Sequence, residues 1–455
     1  MEDKIFITRS GEIEGAFNPL RYKKKINFPK SAKIRDFGLV ISETFIPAKL
    51  YPDQIFDWLR IDNVEIGGFL NENSIITVLG KEISKSTVQL ALEGDILIAR
   101  LGPSLANEKI LIAPKTKNTL VVSGEFIVFR SSGLQPEVIV NILKTKKYLN
   151  YVLSKGRGAT PSRFRIDRND FSELSFPLME KGCFDKIYIL VREINNRYMS
   201  FIQQADSLLA SIDEYVLSML GIEMPELEDK KVFTVSSIEC KGKRIDPHYH
   251  SPKFEVIENS LKTGLYKPVI LDIFITKIHY GISIENEYVK KGIPLLRILN
   301  LKPNEIDISD VVYLDESKRK EIGSGFVYKD DLLISRSGSI GIVAVVPKEA
   351  DGFAFGSFMI KLCLNDDINK NFVTIWLNNK VLQNLIFREK IGAIQGNITI
   401  DTIKNFLIPL PPPRIQTQIA DEVKNRMNKA KELKQEAKKL LEQAKEKIEE
   451  MILGE

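Results

Sequence analysis

This 455-residue chain is written twice. FNPLRYKKK at Phe17–Lys25 is answered by IDPHYHSPK at Ile245–Lys253, and WLRIDN at Trp58–Asn63 by LLRILN at Leu295–Asn300. GDILIAR, ending at Arg100, returns as DDLLISR, ending at Arg336. GATPSRFRID at Gly158–Asp167 returns as GAIQGNITID at Gly392–Asp401, and FPL at Phe176 as IPL at Ile408. Five short matches in one order, at separations of 228 to 237 residues, are hard to obtain by chance. A period near half the chain is too long for a solenoid repeat or a propeller blade, so it indicates two copies of one domain.

Each copy ends in a long amphipathic helix. After the first, Ile187, Val191, Ile194, Tyr198, Phe201, Ala205, Leu208, Ile212, Tyr215 and Met219 recur at spacings of four and three, until Gly221 and Pro225 stop the pattern. After the second, PLPPPR breaks the preceding structure. Ile419, Val423, Ala430, Leu433, Ala437, Leu440, Ala444 and Met451 then carry the seam, interrupted by Arg426 and Lys447. A helix of about 35 residues is roughly 50 Å long, more than a small domain needs to cover its own core. The two seams can close on each other as an antiparallel pair, the arrangement taken here; each could instead pack on its own domain, or the last could zip to another chain.

Within each copy the pattern is mixed and mostly β. Strand-like runs are IITVL, DILIAR and FIVFR in the first, and DLLISR, GIVAVV and FMIKLCL in the second; helix-like segments follow at Pro136–Lys155 and Asn371–Lys390. The expected fold class is α+β: two similar domains separated by two long helices, related by a pseudo-twofold repeat. The expected boundaries are 1–183 for the first domain, 184–222 for its helix, 223–413 for the second domain and 414–455 for the last helix.

Composition adds exclusions. Hydrophobic content of 44% and charged content of 27% are ordinary for a water-soluble globular protein. No run of about 18 apolar residues appears, and the opening MEDKIFITRSGEIEG lacks the apolar core of a signal peptide, so no membrane partner and a cytoplasmic location are expected. Cys183, Cys240 and Cys363 are scattered and odd in number, which argues against a disulfide framework or a zinc site. His248 and His250 lack a further ligand at suitable spacing, and DPHYH reads as a structural turn. No metal site is expected.

Catalytic motifs are missing. There is no phosphate-cradling G-x-x-x-x-G-K-[ST] loop, no Asn/Asp-Pro-Pro-aromatic element of an amino-methyltransferase, no G-x-G-x-x-G opening a helix and no convincing nuclease cluster of carboxylates and lysine. No catalytic residue is expected. What the repeat does carry suits DNA. The net charge of +5 is mild, but Lys144, Lys146, Lys147, Lys155, Arg157, Arg163, Arg165 and Arg168 crowd one stretch against a single acid, Asp167, and a second basic cluster runs from Arg21 to Arg35. In SRSGSIG the glycines permit close backbone approach, while Arg336, Ser337 and Ser339 supply donors; Arg100 in ARLGPS holds the matching place. Gln395 and Asn397 in GAIQGNIT answer Thr160, Arg163 and Arg165 in GATPSRFR. Arginine offers a fork to guanine or phosphate, and asparagine or glutamine the same to adenine. With Lys155, Arg157 and the repeated Arg60 and Arg297, these are the candidate DNA-binding residues.

On DDLLISRSGSIG, the later FGSFMIKL, and GAIQGNITIDTIKNFLIPLPPPRIQTQIADEV, the chain resembles the specificity subunits of type I restriction-modification systems. The resemblance is stronger in the second half, since the first has RLGPS and FPLMEKG where the family prefers R-S-G and I-P-L-P-P. It implies that the two domains are target-recognition domains, each reading one half of a bipartite double-stranded DNA target, on an antiparallel helical spacer. It implies no cofactor in this chain: S-adenosylmethionine belongs to two modification (methyltransferase) subunits that dock on the helices, and motor-nuclease (restriction) subunits join for cleavage. The rival from another class is a catalytic methyltransferase or nuclease with a degenerate motif.

Overall fold

The computed structural model describes residues 26–71, 74–83, 87–158, 164–224, 227, 230, 232–240, 244–283, 287–389 and 396–454. Contacts divide the chain into two units, Met1–Gln203 with Leu433–Glu455, and Gln204–Glu432, so the division crosses the middle of both long helices rather than their ends. These are the first and second lobes.

The central strands dictate the layering. In the first lobe Ile96–Ala99 is buried throughout, and its side chains alternate as a strand must: Ile96 and Ile98 join one hydrophobic cluster, Leu97 the other. Its neighbour Phe126–Ser131 does the same, sending Ile127 and Phe129 one way and Phe126 and Val128 the other. These two strands lie inside a four-stranded antiparallel sheet in the order Gly38–Ile41, Phe126–Ser131, Ile96–Ala99, Ile110–Ile112. A second sheet runs Ile75–Leu79, Ile55–Leu59, Thr119–Ser123, Val88–Leu90, with its middle pair parallel.

The second lobe repeats this plan. Its main sheet is Ile275–Tyr280, Met359–Leu364, Leu332–Ser335, Val343–Val345, and Leu332 and Ile334 face one cluster while Leu333 faces another. Its smaller sheet, Val312–Leu314, Ile293–Leu296, Ala354–Phe355, again contains a parallel pair. In both lobes a short antiparallel pair closes the domain at the root of its long helix: Ser31–Lys33 with Ser175–Pro177, and Pro268–Ile270 with Leu407–Pro409.

The helical segments differ in detail from their sequence pattern. The expected helix at Pro136–Lys155 is two helices, Pro136–Leu143 and Lys146–Ser154, and that at Asn371–Lys390 is likewise two, Lys370–Asn378 and Lys380–Arg388. The second break has a local cause: the Asn379 side chain accepts from the Val381 N–H at 3.0 Å and starts a new helix. The second helix of each pair also takes an acid from a long helix. In the first lobe the Lys147 N–H donates to Glu449 at 2.5 Å; in the second the Lys380 N–H donates to Asp213 at 3.4 Å.

The long helices span Lys181–Leu220 and Pro413–Leu453. Each lobe receives a piece of both. Phe184, Ile187 and Val191 share the first lobe's core with Ile448 and Ile452, and Val216 and Leu220 share the second lobe's core with Ile419 and Val423. The early part of one helix thus meets the late part of the other, as an antiparallel pair requires, and both also pack on the lobe itself. Arg426 does not break the seam: its guanidinium lies 4.5 Å from the Tyr215 ring centroid and donates to the Ser211 carbonyl at 3.0 Å. Lys447 is exposed, and Ile448 takes the buried place beside it. Gly221, at φ +61°, ends the first helix. No helix among the described residues is long and apolar enough to cross a membrane.

Candidate nucleic-acid interface

The two repeated arginines sit where three chain segments meet, and the backbone around them is the same in both lobes. The Arg100 N–H donates to the Glu125 carbonyl at 2.8 Å and the Arg336 N–H to that of Phe358 at 2.9 Å. The Arg100 carbonyl accepts from Ile166, and that of Arg336 from Ile398, each at 3.0 Å. One residue on, Leu101 bridges Arg165 and Ser337 bridges Asn397. This fixes the repeat more closely than the sequence match did. Aligned letter for letter, GATPSRFRID and GAIQGNITID set Arg165 against Thr399; the hydrogen bonds set it against Asn397, two residues earlier. The helix caps agree, since Asp167 caps Arg168–Ser172 and Thr399 caps Ile400–Lys404.

The arginine side chains themselves are held by their own lobes. Arg100 donates from Nε to the Ile166 carbonyl at 3.3 Å and from Nη1 to that of Gly124 at 3.5 Å. Arg336 lies 4.7 Å from the Tyr280 ring centroid, with its buried Nε lacking an acceptor among the described residues. Arg165 is gripped on one edge by Glu125, Nε to Oε2 and Nη2 to Oε1, both at 3.0 Å. That carboxylate raises the guanidinium pKa and keeps its charge fixed. Arg157 exchanges backbone hydrogen bonds with Arg165 and reaches Asp170 at 2.9 Å. Arg168 donates to Gln89 at 2.9 Å, and burial, then the Arg100 charge, lowers its pKa.

In the second lobe the Ser337 hydroxyl donates to Asn397 Oδ1, and exposed Ser339 gives its carbonyl to Ser335 Oγ. Thus Arg100, Arg157 and Arg165 come together in the first lobe, as Arg336, Ser337 and Asn397 do in the second. Thr160, Arg163 and Gln395 lie outside the described residues, as do Phe17–Lys25 and the Arg21 end of the second basic cluster. Lys155 stands 5.2 Å from the Tyr151 ring centroid. Arg60 pairs with Asp62 and covers Trp58, and Arg297 reaches Asp310 at 3.0 Å. In chain order, each follows the first strand of its lobe's sheet with the parallel pair, Ile55–Leu59 or Ile293–Leu296.

Of the basic stretch, Lys144 turns inward, while Lys147 stays exposed and pairs with a long helix. Lys144 donates to the Gly67 carbonyl at 2.6 Å, and burial pushes its pKa down to about 8. Lys147 faces Glu449. The DPHYH turn is tied by the Asp246 carboxylate, which accepts from Tyr249 N–H at 3.1 Å, while His248 meets the Phe387 carbonyl. Residues that sequence reasoning missed are Glu125, Gln89, Tyr280 and Phe358. Only a strand-by-strand alignment of the two copies would have set Glu125 and Phe358, each preceding an apolar strand, in equivalent places.

A family described as type I restriction modification DNA specificity domain matches residues 285–443. The chain is similar to the type I restriction enzyme EcoKI specificity subunit of Escherichia coli K12, 20% identical over 385 residues that cover 82% of this chain and 75% of that one. It is 21% identical over 247 residues to the EcoBI specificity subunit of Escherichia coli, covering 50% and 51%. Over 148 residues it is 28% identical to the putative MjaX specificity subunit of Methanocaldococcus jannaschii, covering 31% and 35%. The chain thus spans about half of the EcoBI relative and about a third of the MjaX one. Among solved structures, one described by the complex assembly and conformational transition of the type I R-M system has a TM-score of 0.51 at 15% identity, covering 94% of this chain and 100% of that one. That likeness is one of fold.

Proposed function

We propose, for a chain that belongs to the specificity subunits of type I restriction-modification systems, that each lobe reads one half of a bipartite double-stranded DNA target and that the chain itself catalyses no step. The observation that carries this reading is the repeated arginine corner, built with the same backbone hydrogen bonds at Arg100 and Arg336. One scaffold used twice, with different side chains around it, suits two unlike half-sites on one DNA.

The candidate contacts divide by chemistry. Arg100 and Arg336, kept in both lobes, suit the phosphate backbone, which is the same at every sequence. Arg60, Lys155, Arg157 and Arg297 add positive charge for the same backbone, and Thr160, Arg163 and Gln395 remain candidates by residue type alone. Arg165, Ser337, Ser339 and Asn397 differ between lobes and suit base edges. The outer faces of the long helices dock two modification subunits, which hold S-adenosylmethionine and methylate the target; restriction subunits join these in the cytoplasm. Expressing the modification subunits with and without this chain, and sequencing the methylated bases, tests the reading. Sequence-dependent methylation that needs the chain supports it; methylation unchanged without the chain refutes it. S-adenosylmethionine binding or DNA cleavage by the purified chain alone would instead mark an enzyme.

A further inference from the structure

We propose that Phe358 reads the methyl group of a thymine in the second lobe's half-site, at the place where the first lobe carries Glu125. The inference rests on the DNA-reading role above and adds a specificity-determining residue to it.

The place is fixed by the backbone. Phe358 lies in the turn at 356–359, where the Met359 N–H donates to the Gly356 carbonyl at 3.1 Å. The Phe358 carbonyl accepts from the Arg336 N–H at 2.9 Å, as that of Glu125 accepts from Arg100 at 2.8 Å. The Gly281 N–H donates to the Met359 carbonyl at 3.1 Å, and a Cβ at Gly281 would stand 2.2 Å from the Gly356 carbonyl oxygen. The strand Ile275–Tyr280 therefore runs out directly against this turn. A turn held in this way positions its ring before DNA arrives, so contact costs little ordering.

Two lobes that share a scaffold but read different half-sites must differ in side chains where bases are met. The shared arginines fail that condition, and position 125/358 meets it. Glu125 commits its carboxylate to Arg165, whereas Phe358 carries no polar group at all. Its side chain is 47% exposed and joins none of the second lobe's hydrophobic clusters among the described residues. A lone exposed phenyl is ordinary on a protein surface. Here, however, the strand that ends against the turn brings Tyr280, itself 43% exposed, with the Arg336 guanidinium 4.7 Å from its ring centroid. An arginine suited to phosphate thus stands beside an uncovered ring, which a base edge can cover while the DNA backbone is gripped. The C5-methyl of thymine is the apolar group that base pairs present in the major groove; the other groups there are donors and acceptors. Covering a donor or acceptor with a phenyl would desolvate it without a partner. The ring therefore favours thymine.

The test uses the complex of this chain with its modification subunits. Methylation across a randomised target library gives the two half-sites, and exchanging residues 233–410 for a relative's segment shows which belongs to the second lobe. Each thymine of that half-site, on either strand, is then replaced by deoxyuridine, which pairs alike and lacks the methyl. One replacement should weaken binding by the wild-type complex about threefold to tenfold, the effect of one buried methyl contact. Phe358→Ala should bind thymine and deoxyuridine equally at that position and relax selectivity there alone, with the salt dependence of binding unchanged. If Phe358→Ala does not assemble, Phe358→Gln, which keeps a long side chain and loses the apolar ring, is judged by the same standard. A wild-type complex indifferent to every deoxyuridine, or an equal deoxyuridine effect in wild type and variant, would overturn the assignment. So would folded variants that both fail to join the modification subunits, since the ring would then pack on protein. Absence of any sequence-dependent methylation by the wild-type complex would fail the DNA-reading role itself, a separate outcome.

Discussion

Glu108 and Gly341 occupy the same turn in the two lobes, both at positive φ, +54° and +81°. Each precedes the residue whose carbonyl accepts from the end of the central strand, Lys109 from Ala99 and Ile342 from Ser335. Glycine takes this conformation freely; a residue with a Cβ carries a cost of about 1–2 kcal/mol. The first lobe tolerates glutamate because its carboxylate holds Lys445 of the last helix at 2.6 and 2.8 Å.

That pair is mostly buried, with side-chain exposures of 14% and 24%, so removing one partner should matter more than at a surface bridge. Lys445→Met should destabilise the protein by about 1–2 kcal/mol, because Glu108 keeps its strain and loses its partner. Glu108→Gly should cost less, since relief of the strained φ offsets the lost ion pair. Denaturant unfolding of both variants checks the order; a larger cost for Glu108→Gly would show that the turn is unstrained.

Lys144 gives the fold a pH dependence of unusual sign. Its folded pKa of about 8, lowered by burial, lies below that of an unfolded lysine. Below pH 8 both states hold the proton and the folded state bears the cost of a buried charge. From about pH 8 up to the ordinary lysine range, only the unfolded state keeps the proton, so stability rises with pH. Between pH 7 and 9 the gain should be about 1 kcal/mol, and Lys144→Met should abolish that increment. Equal slopes for the two proteins in thermal or urea unfolding would place the ammonium in solvent.

Arg336 separates grip from readout. Arg336→Ala should weaken DNA binding evenly across sequences and reduce the slope of log affinity against log salt by about one. Relaxed selectivity at a single base would instead make it a reader. Unchanged affinity at every salt concentration, with lowered thermal stability, would leave it only its stacking on Tyr280.

The duplication, the alternating strands and the two long helices were legible because each is a repeated pattern. In DILIAR and DLLISR, period-two burial against two clusters leaves little freedom in the apolar positions. The break at Asn379 was not legible, because one side-chain cap decides it inside an otherwise helical pattern. Nor was the two-residue slip that brings Arg165 opposite Asn397. The only strong letters there, ID, align Asp167 with Asp401, whereas the cap falls at Thr399. Arg165's partner Glu125 is forty residues away in sequence, and its role is set by strand pairing. Lys144 looked like part of a basic surface; only the loop carrying Gly67 shows that it faces inward.

The most direct test of two independent readers is to replace residues 233–410 with the equivalent segment of a relative and sequence the methylated bases. With the modification subunits present, one half-site should change to that of the donor and the other should stay as it was. A change in both halves, or in neither, would contradict the account.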